Sequence, residues 1–110
     1  MAISMQAQDF KSIINSILKG DVKTLVFDEL VDYCFENDQD LLTPSELSKS
    51  LNKTLELLQP KSSEVIHIAD SKGNAAKYAV AQVVSSAGTK YRMFVYTEEG
   101  KIVEIRFNKE

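Results

Sequence analysis

Hydrophobic and polar positions alternate most regularly over the last third of the chain. Lys77-Tyr78-Ala79-Val80-Ala81-Gln82-Val83-Val84 leads to Ser85-Ser86-Ala87-Gly88, and Thr89-Lys90-Tyr91-Arg92-Met93-Phe94-Val95-Tyr96 follows. After Glu98-Glu99-Gly100 comes Lys101-Ile102-Val103-Glu104-Ile105-Arg106-Phe107. Three β-branched and aromatic runs joined by short turns predict a meander of two hairpins. Ser86-Ala87-Gly88 and Glu98-Glu99-Gly100 each fit a three-residue loop with Gly at the left-handed position. Ser85 then pairs with Thr89 and Thr97 with Lys101. Val83 faces Tyr91, Ala81 faces Met93 and Ala79 faces Val95; in the second hairpin Val95 faces Val103, Met93 faces Ile105 and Tyr91 faces Phe107. That face is wholly apolar or aromatic. A one-residue slip would bring Arg92 opposite Val83, so burial selects the first register.

The other face of the meander carries Tyr78, Val80, Gln82, Arg92, Phe94, Tyr96, Ile102, Glu104 and Arg106. A solvated sheet face is mainly polar. Apolar surface rimmed by charge marks an interface, and Tyr with Arg is typical of one. Tyr78, Val80, Arg92, Phe94 and Tyr96 are therefore expected to form a homodimer interface. The alternative is a face covered by another part of the same chain.

Upstream, Phe10, Ile13, Ile14, Ile17 and Leu18 recur at helical spacing, and Lys19-Gly20 closes that helix. Asp21 is expected to cap a second, short helix containing Val22, Leu25 and Val26. Glu29 to Asn37 reads either as helix, through Leu30-Val31, or as strand, through Val31, Tyr33 and Phe35; a short helix and then a short strand is the expectation. Asn37-Asp38-Gln39-Asp40 reads as an acidic loop. Thr43-Pro44-Ser45-Glu46 is a capping box with Pro at the first helical position. Leu47, Leu51, Leu55 and Leu58 line one face of the helix that follows, and Gln59-Pro60 stops it. Ser62 to Ala69 is the next strand, and Asp70-Ser71-Lys72-Gly73-Asn74 turns it back. The order predicts an α+β roll of three helices on a curved antiparallel sheet, in one domain spanning 1–110.

The helix followed by Gly20-Asp21, the Tyr33-Cys34-Phe35-Glu36 strand ahead of the third helix, and Gly100-Lys101-Ile102-Val103-Glu104-Ile105 resemble the NTF2-like superfamily. This is the cone-shaped α+β fold that ketosteroid isomerases and polyketide cyclases also use. The segment from His67 through Lys77-Tyr78-Ala79-Val80 to Gly88-Thr89-Lys90-Tyr91-Arg92 is further similar to a small uncharacterised bacterial family within it. The resemblance covers nearly the whole chain and implies a fold; it carries no function, because this fold hosts unrelated activities. Catalytic members place an Asp or Asp-His pair and a Tyr inside the cone. Here no carboxylate falls on the apolar face of the meander.

At 110 residues the chain can bury roughly two-thirds of its unfolded surface without disulfides or metal. A net charge of −3 with no basic cluster argues against nucleic-acid capture. One Cys and one His exclude a disulfide framework and the usual zinc motifs. No run is long and apolar enough for a membrane span. Met1-Ala2-Ile3-Ser4-Met5-Gln6 has no signal-peptide pattern, which points to the cytoplasm as the sequence stands, or to periplasm or secretion if a leader was replaced. No cofactor is expected.

As the one histidine, His67 is a candidate proton-transfer group, or else a structural or surface histidine between two isoleucines. Cys34 reads as a small buried hydrophobe rather than a nucleophile. Tyr33 and Tyr91 are candidates, with His67, for lining a pocket at the open end of the cone; equally, their rings belong to the core. Arg92 and Arg106 share a face and suit an anion, or an ion pair with Glu104. These residues point first to a non-enzymatic homodimeric module that binds a small apolar ligand or a protein partner. The alternative is a small pocket enzyme of isomerase, dehydratase or cyclase type, with His67 or a tyrosine moving the proton. A third reading is an interaction or immunity-type protein that offers Asp38 and Asp40 to a basic partner.

Overall fold

The structure is a computed structural model that describes residues 7–70 and 76–110. Helix α1 (Ala7–Leu18) buries Phe10, Ile13, Ile14 and Ile17, the stripe its spacing predicts. It ends in a Schellman motif: the Gly20 N–H bonds the Ile17 carbonyl at 3.0 Å and the Asp21 N–H bonds that of Ser16 at 2.9 Å. Gly20 sits at φ 76°, the left-handed conformation that glycine adopts without penalty.

The short helix expected after Asp21 does not form, so the described residues hold two helices rather than three. A single turn, with the Leu25 N–H on the Val22 carbonyl at 3.2 Å, sets both residues against the core. One turn satisfies the same spacing as a helix, and too few residues remain before the sheet for more. Strand β1 (Phe27–Phe35) takes the ambiguous stretch as far as Phe35 with no helical part, and its pairing with β6 shifts register between Phe27 and Asp32. The expected acidic loop is instead strand β2 (Asp38–Leu42), reached through a tight turn with Glu36 at φ 57°. An edge strand exposed on both faces needs no apolar alternation, so its composition reads as loop.

Helix α2 (Pro44–Leu58) begins as its capping box predicts: the Glu46 N–H donates to Thr43 Oγ1 at 3.3 Å, and the Thr43 N–H donates to Glu46 Oε1 at 3.0 Å. Gln59, left-handed at φ 44°, closes it. Four antiparallel strands follow: β3 (Pro60–Asp70), β4 (Ala76–Ser85), β5 (Lys90–Glu98) and β6 (Lys101–Lys109). The reversal expected at Asp70 to Asn74 lies largely outside the described residues. The sheet order is β2-β1-β6-β5-β4-β3, with β1 parallel to β6 and every other pair antiparallel.

The first hairpin has the expected register, with Val83 opposite Tyr91, Ala81 opposite Met93 and Ala79 opposite Val95. The second does not. Glu98 pairs with Lys101 across a two-residue loop whose members, Glu99 and Gly100, both have positive φ (50° and 79°), the type I′ geometry. A bulge between Tyr96 and Thr97 then leaves Val103 as the extra residue. Val95 therefore faces Ile105 and Met93 faces Phe107. Ile102, expected on the outer face, is buried in the core.

Both helices pack into one hydrophobic cluster with Val31, Tyr33, Ala79, Ala81, Val83, Tyr91, Met93, Val95, Ile102, Ile105 and Phe107. These strand residues define an inner face. Among the described residues both helices lie on that inner face.

Candidate functional site

The strand register fixes what the outer face presents. Tyr78 on β4 lies opposite Tyr96 on β5, Val80 opposite Phe94, and Gln82 opposite Arg92. On β3, His67 lies opposite Val80 because a bulge extrudes Ile66, while Val65 and Ile68 face the core. Four rings touch in sequence: His67 to Tyr78 with centroids 5.7 Å apart, Tyr78 to Phe94 at 5.2 Å and Phe94 to Tyr96 at 6.3 Å. Such pairs add about 0.5–1.5 kcal/mol each beyond area burial and hold the rings as a preformed surface. The five residues expected to form an interface all share this face.

Beside the rings lies a band of ion pairs. Arg106 pairs with Glu104 and reaches Asp32 at 4.0 Å. Gln39 Nε2 donates to both Asp32 oxygens at 3.0 Å. Arg92 Nε donates to Glu110 Oε1 at 2.8 Å, and Gln82 Nε2 to Glu110 Oε2 at 3.0 Å. The Arg92 guanidinium, then the Gln82 amide, hold the Glu110 carboxyl below the usual carboxylate range. The hydrogen bond to Glu104 raises Arg106 further above its ordinary value. Partial burial, with Glu98 and Glu104 nearby, pushes the Tyr96 phenol up, so it stays neutral at physiological pH. Both arginines thus meet carboxylates of their own chain.

At the far side of the same face, Leu30 on β1 and Leu41 on β2 are 47% and 63% exposed. Their positions depend on a pairing (Asp32 opposite Leu41) that only the β1–β2 hairpin reveals. Leu30, Asp32, Gln39, Leu41 and Glu110 are members that sequence reasoning missed; the strand-like alternation of Val31, Tyr33 and Phe35 was the one signal for Asp32.

Tyr33, Tyr91 and His67 do not converge. Tyr33 and Tyr91 belong to an inner aromatic cluster, linked through Phe107 and Phe35 with centroids 6.1 to 6.3 Å apart. The Tyr33 hydroxyl bonds Thr54 Oγ1 of α2, which in turn donates to the Ser50 carbonyl at 3.2 Å. Burial raises the Tyr33 phenol, so it remains protonated. His67 stands on the outer face, with Nε2 3.5 Å from the Tyr78 hydroxyl. Cys34 is buried, its Sγ donating to the Glu36 carbonyl at 3.2 Å. A separate open groove of about 330 Å³ lies between α1 and residues 24–26, lined by Asp9, Ser12, Ile13, Ser16 and Leu25. Among the described residues no group of three or more His, Cys, Asp or Glu side chains could hold a metal ion. No described helix is long and apolar enough to cross a membrane.

No family model matches this sequence, and no curated protein matches it. Solved structures do. A DUF4783 family protein from Bacteroides uniformis superposes with a TM-score of 0.77 at 13% identity, over 91% of this chain and 95% of that one. Another, from Bacteroides ovatus, gives 0.73 at 12% identity over 97% and 96%. The NTF2 protein Rd1NTF2_04, described as having a long sheet, gives 0.69 at 15% identity over 94% and 100%. At such identities the likeness is one of architecture: the chain has an NTF2-like α+β fold, built as those of the DUF4783 proteins are.

Proposed function

We propose that this chain is a non-enzymatic NTF2-like binding module that works as a homodimer through its outer sheet face and takes a small apolar ligand or a protein partner. The observation that carries the dimer is the row of touching rings on a face that neither helix covers. The neighbouring charges support a second copy as the occupant. Arg92 and Arg106 stand among Glu104, Glu110 and Asp32, so the rim carries both signs and is compatible with a two-fold interface. Leu30 and Leu41 extend the apolar area across the sheet.

Catalysis is the weaker reading. General acid–base chemistry needs a titratable group facing a cavity. The Tyr33 hydroxyl is bound to Thr54 within the core, and His67 is exposed, with the Tyr78 hydroxyl as its neighbour.

The test is Phe94→Glu combined with Tyr96→Glu, read by light scattering on a sizing column. The expected product is a folded monomer with unchanged far-ultraviolet circular dichroism. A double variant that keeps the mass of the unmodified dimer contradicts the interface.

A further inference from the structure

The two edges of the sheet are protected differently. Strand β3 begins at a proline, which has no N–H, and is broken by register shifts at Pro60/Ser62 and Val65/His67. Strand β2 pairs with β1 through five residues in unbroken register, and its other edge has no strand partner among the described residues. Its outward backbone groups form a regular template for one more strand. What guards that template is charge. Asp38 and Asp40 lie opposite Phe35 and Tyr33, so they stand on the inner-face side of the edge, while Gln39 and Leu41 lie on the outer side. Asp38, Gln39, Asp40 and Leu41 are all exposed, and Glu36 is exposed in the turn before them.

Protection by charge discriminates between partners. Antiparallel pairing of two copies through β2 would set Asp38 and Asp40 against the same acids, which is destabilising. An extended segment with Lys or Arg on one side and apolar side chains on the other meets Asp38 and Asp40 with opposite charge and Leu41 with apolar contact. We propose that the free edge of β2 takes up a basic, alternating β-strand from a protein partner, by strand addition. The proposal uses the backbone edge of β2 and the acids on its inner side rather than the row of rings; of the outer face it shares only Leu41.

The probe is a short synthetic peptide alternating lysine with valine or threonine, titrated into the isotopically labelled full chain and followed by amide chemical shifts. Shifts and slowed amide exchange are expected on β2 and β1. Asp38→Asn with Asp40→Asn should weaken binding roughly two- to thirty-fold, the range for two exposed charge pairs. A peptide of the same charge, N-methylated at alternate residues so that one edge cannot donate, should not bind. Equal binding of the N-methylated peptide, shifts scattered over the whole surface, or no shifts with the unmodified peptide would each overturn the proposal.

Discussion

Two side chains show how the core treats polar atoms. Tyr33 and Thr54 are buried, and each hydroxyl has a partner. Removing the Tyr33 hydroxyl leaves Thr54 still bonded to Ser50, so Tyr33→Phe should cost about 1 kcal/mol in urea unfolding. Thr54→Val strands the phenol and should cost more, about 1–3 kcal/mol. A reversed order would mean that the phenol reaches water. The role of Tyr33 was half legible: its strand parity was readable, but Thr54 lies on another element at a distance that periodicity does not encode. Leu30 and Leu41 were illegible for a related reason, since an exposed leucine gains meaning only from the neighbours a sheet gives it.

At the scale of elements, local chemistry was readable wherever one residue type is required. Thr43-Pro44-Ser45-Glu46 and Gly20 each predicted the feature that formed. Thr43→Ala should cost about 1 kcal/mol, measured by thermal unfolding. The Glu46 carboxyl is held below its usual value first by the Thr43 backbone hydrogen bond and then by its side chain. Its folded pKa lies below the unfolded one, so it stabilises the fold above the unfolded carboxylate pKa, and that contribution is lost as pH falls through the folded value. Glu110 has the same sign. Acid titration of stability should therefore be shallower in Glu46→Gln than in the parent chain; an unchanged profile would contradict the box. The second hairpin was harder to read. Glu98-Glu99-Gly100 suits either a three-residue or a two-residue loop, and the bulge at Val103 restores the facing of Ile105 and Phe107. The alternation therefore hid the difference. Since Glu99 occupies the first positive-φ position of a type I′ turn, Glu99→Asn should stabilise by about 0.5 kcal/mol, seen as a raised Tm.

For the whole molecule, the architecture follows from one decision: the wholly apolar side of the meander is covered by α1 and α2, which leaves its other side bearing rings. The face residues Tyr78, Val80, Arg92, Phe94 and Tyr96 were legible because a correct first hairpin aligns them whatever the helices do. The helix count was not, because a single turn at Val22 to Leu25 satisfies the spacing of a helix. The parallel pairing of β1 with β6 was also hidden, since it joins strands far apart in sequence. That pairing brings Asp32 beside Arg106 and turns an isolated charge into part of the outer face.

The ring-bearing face is proposed to meet a second copy. Native mass spectrometry of the freshly purified chain tests it most directly, because subunit count and any retained small molecule are read together. A dimer is expected, and added mass on it would identify the class of an apolar ligand. A monomer across the accessible concentration range would overturn the homodimer and leave the ring-bearing face without its proposed occupant.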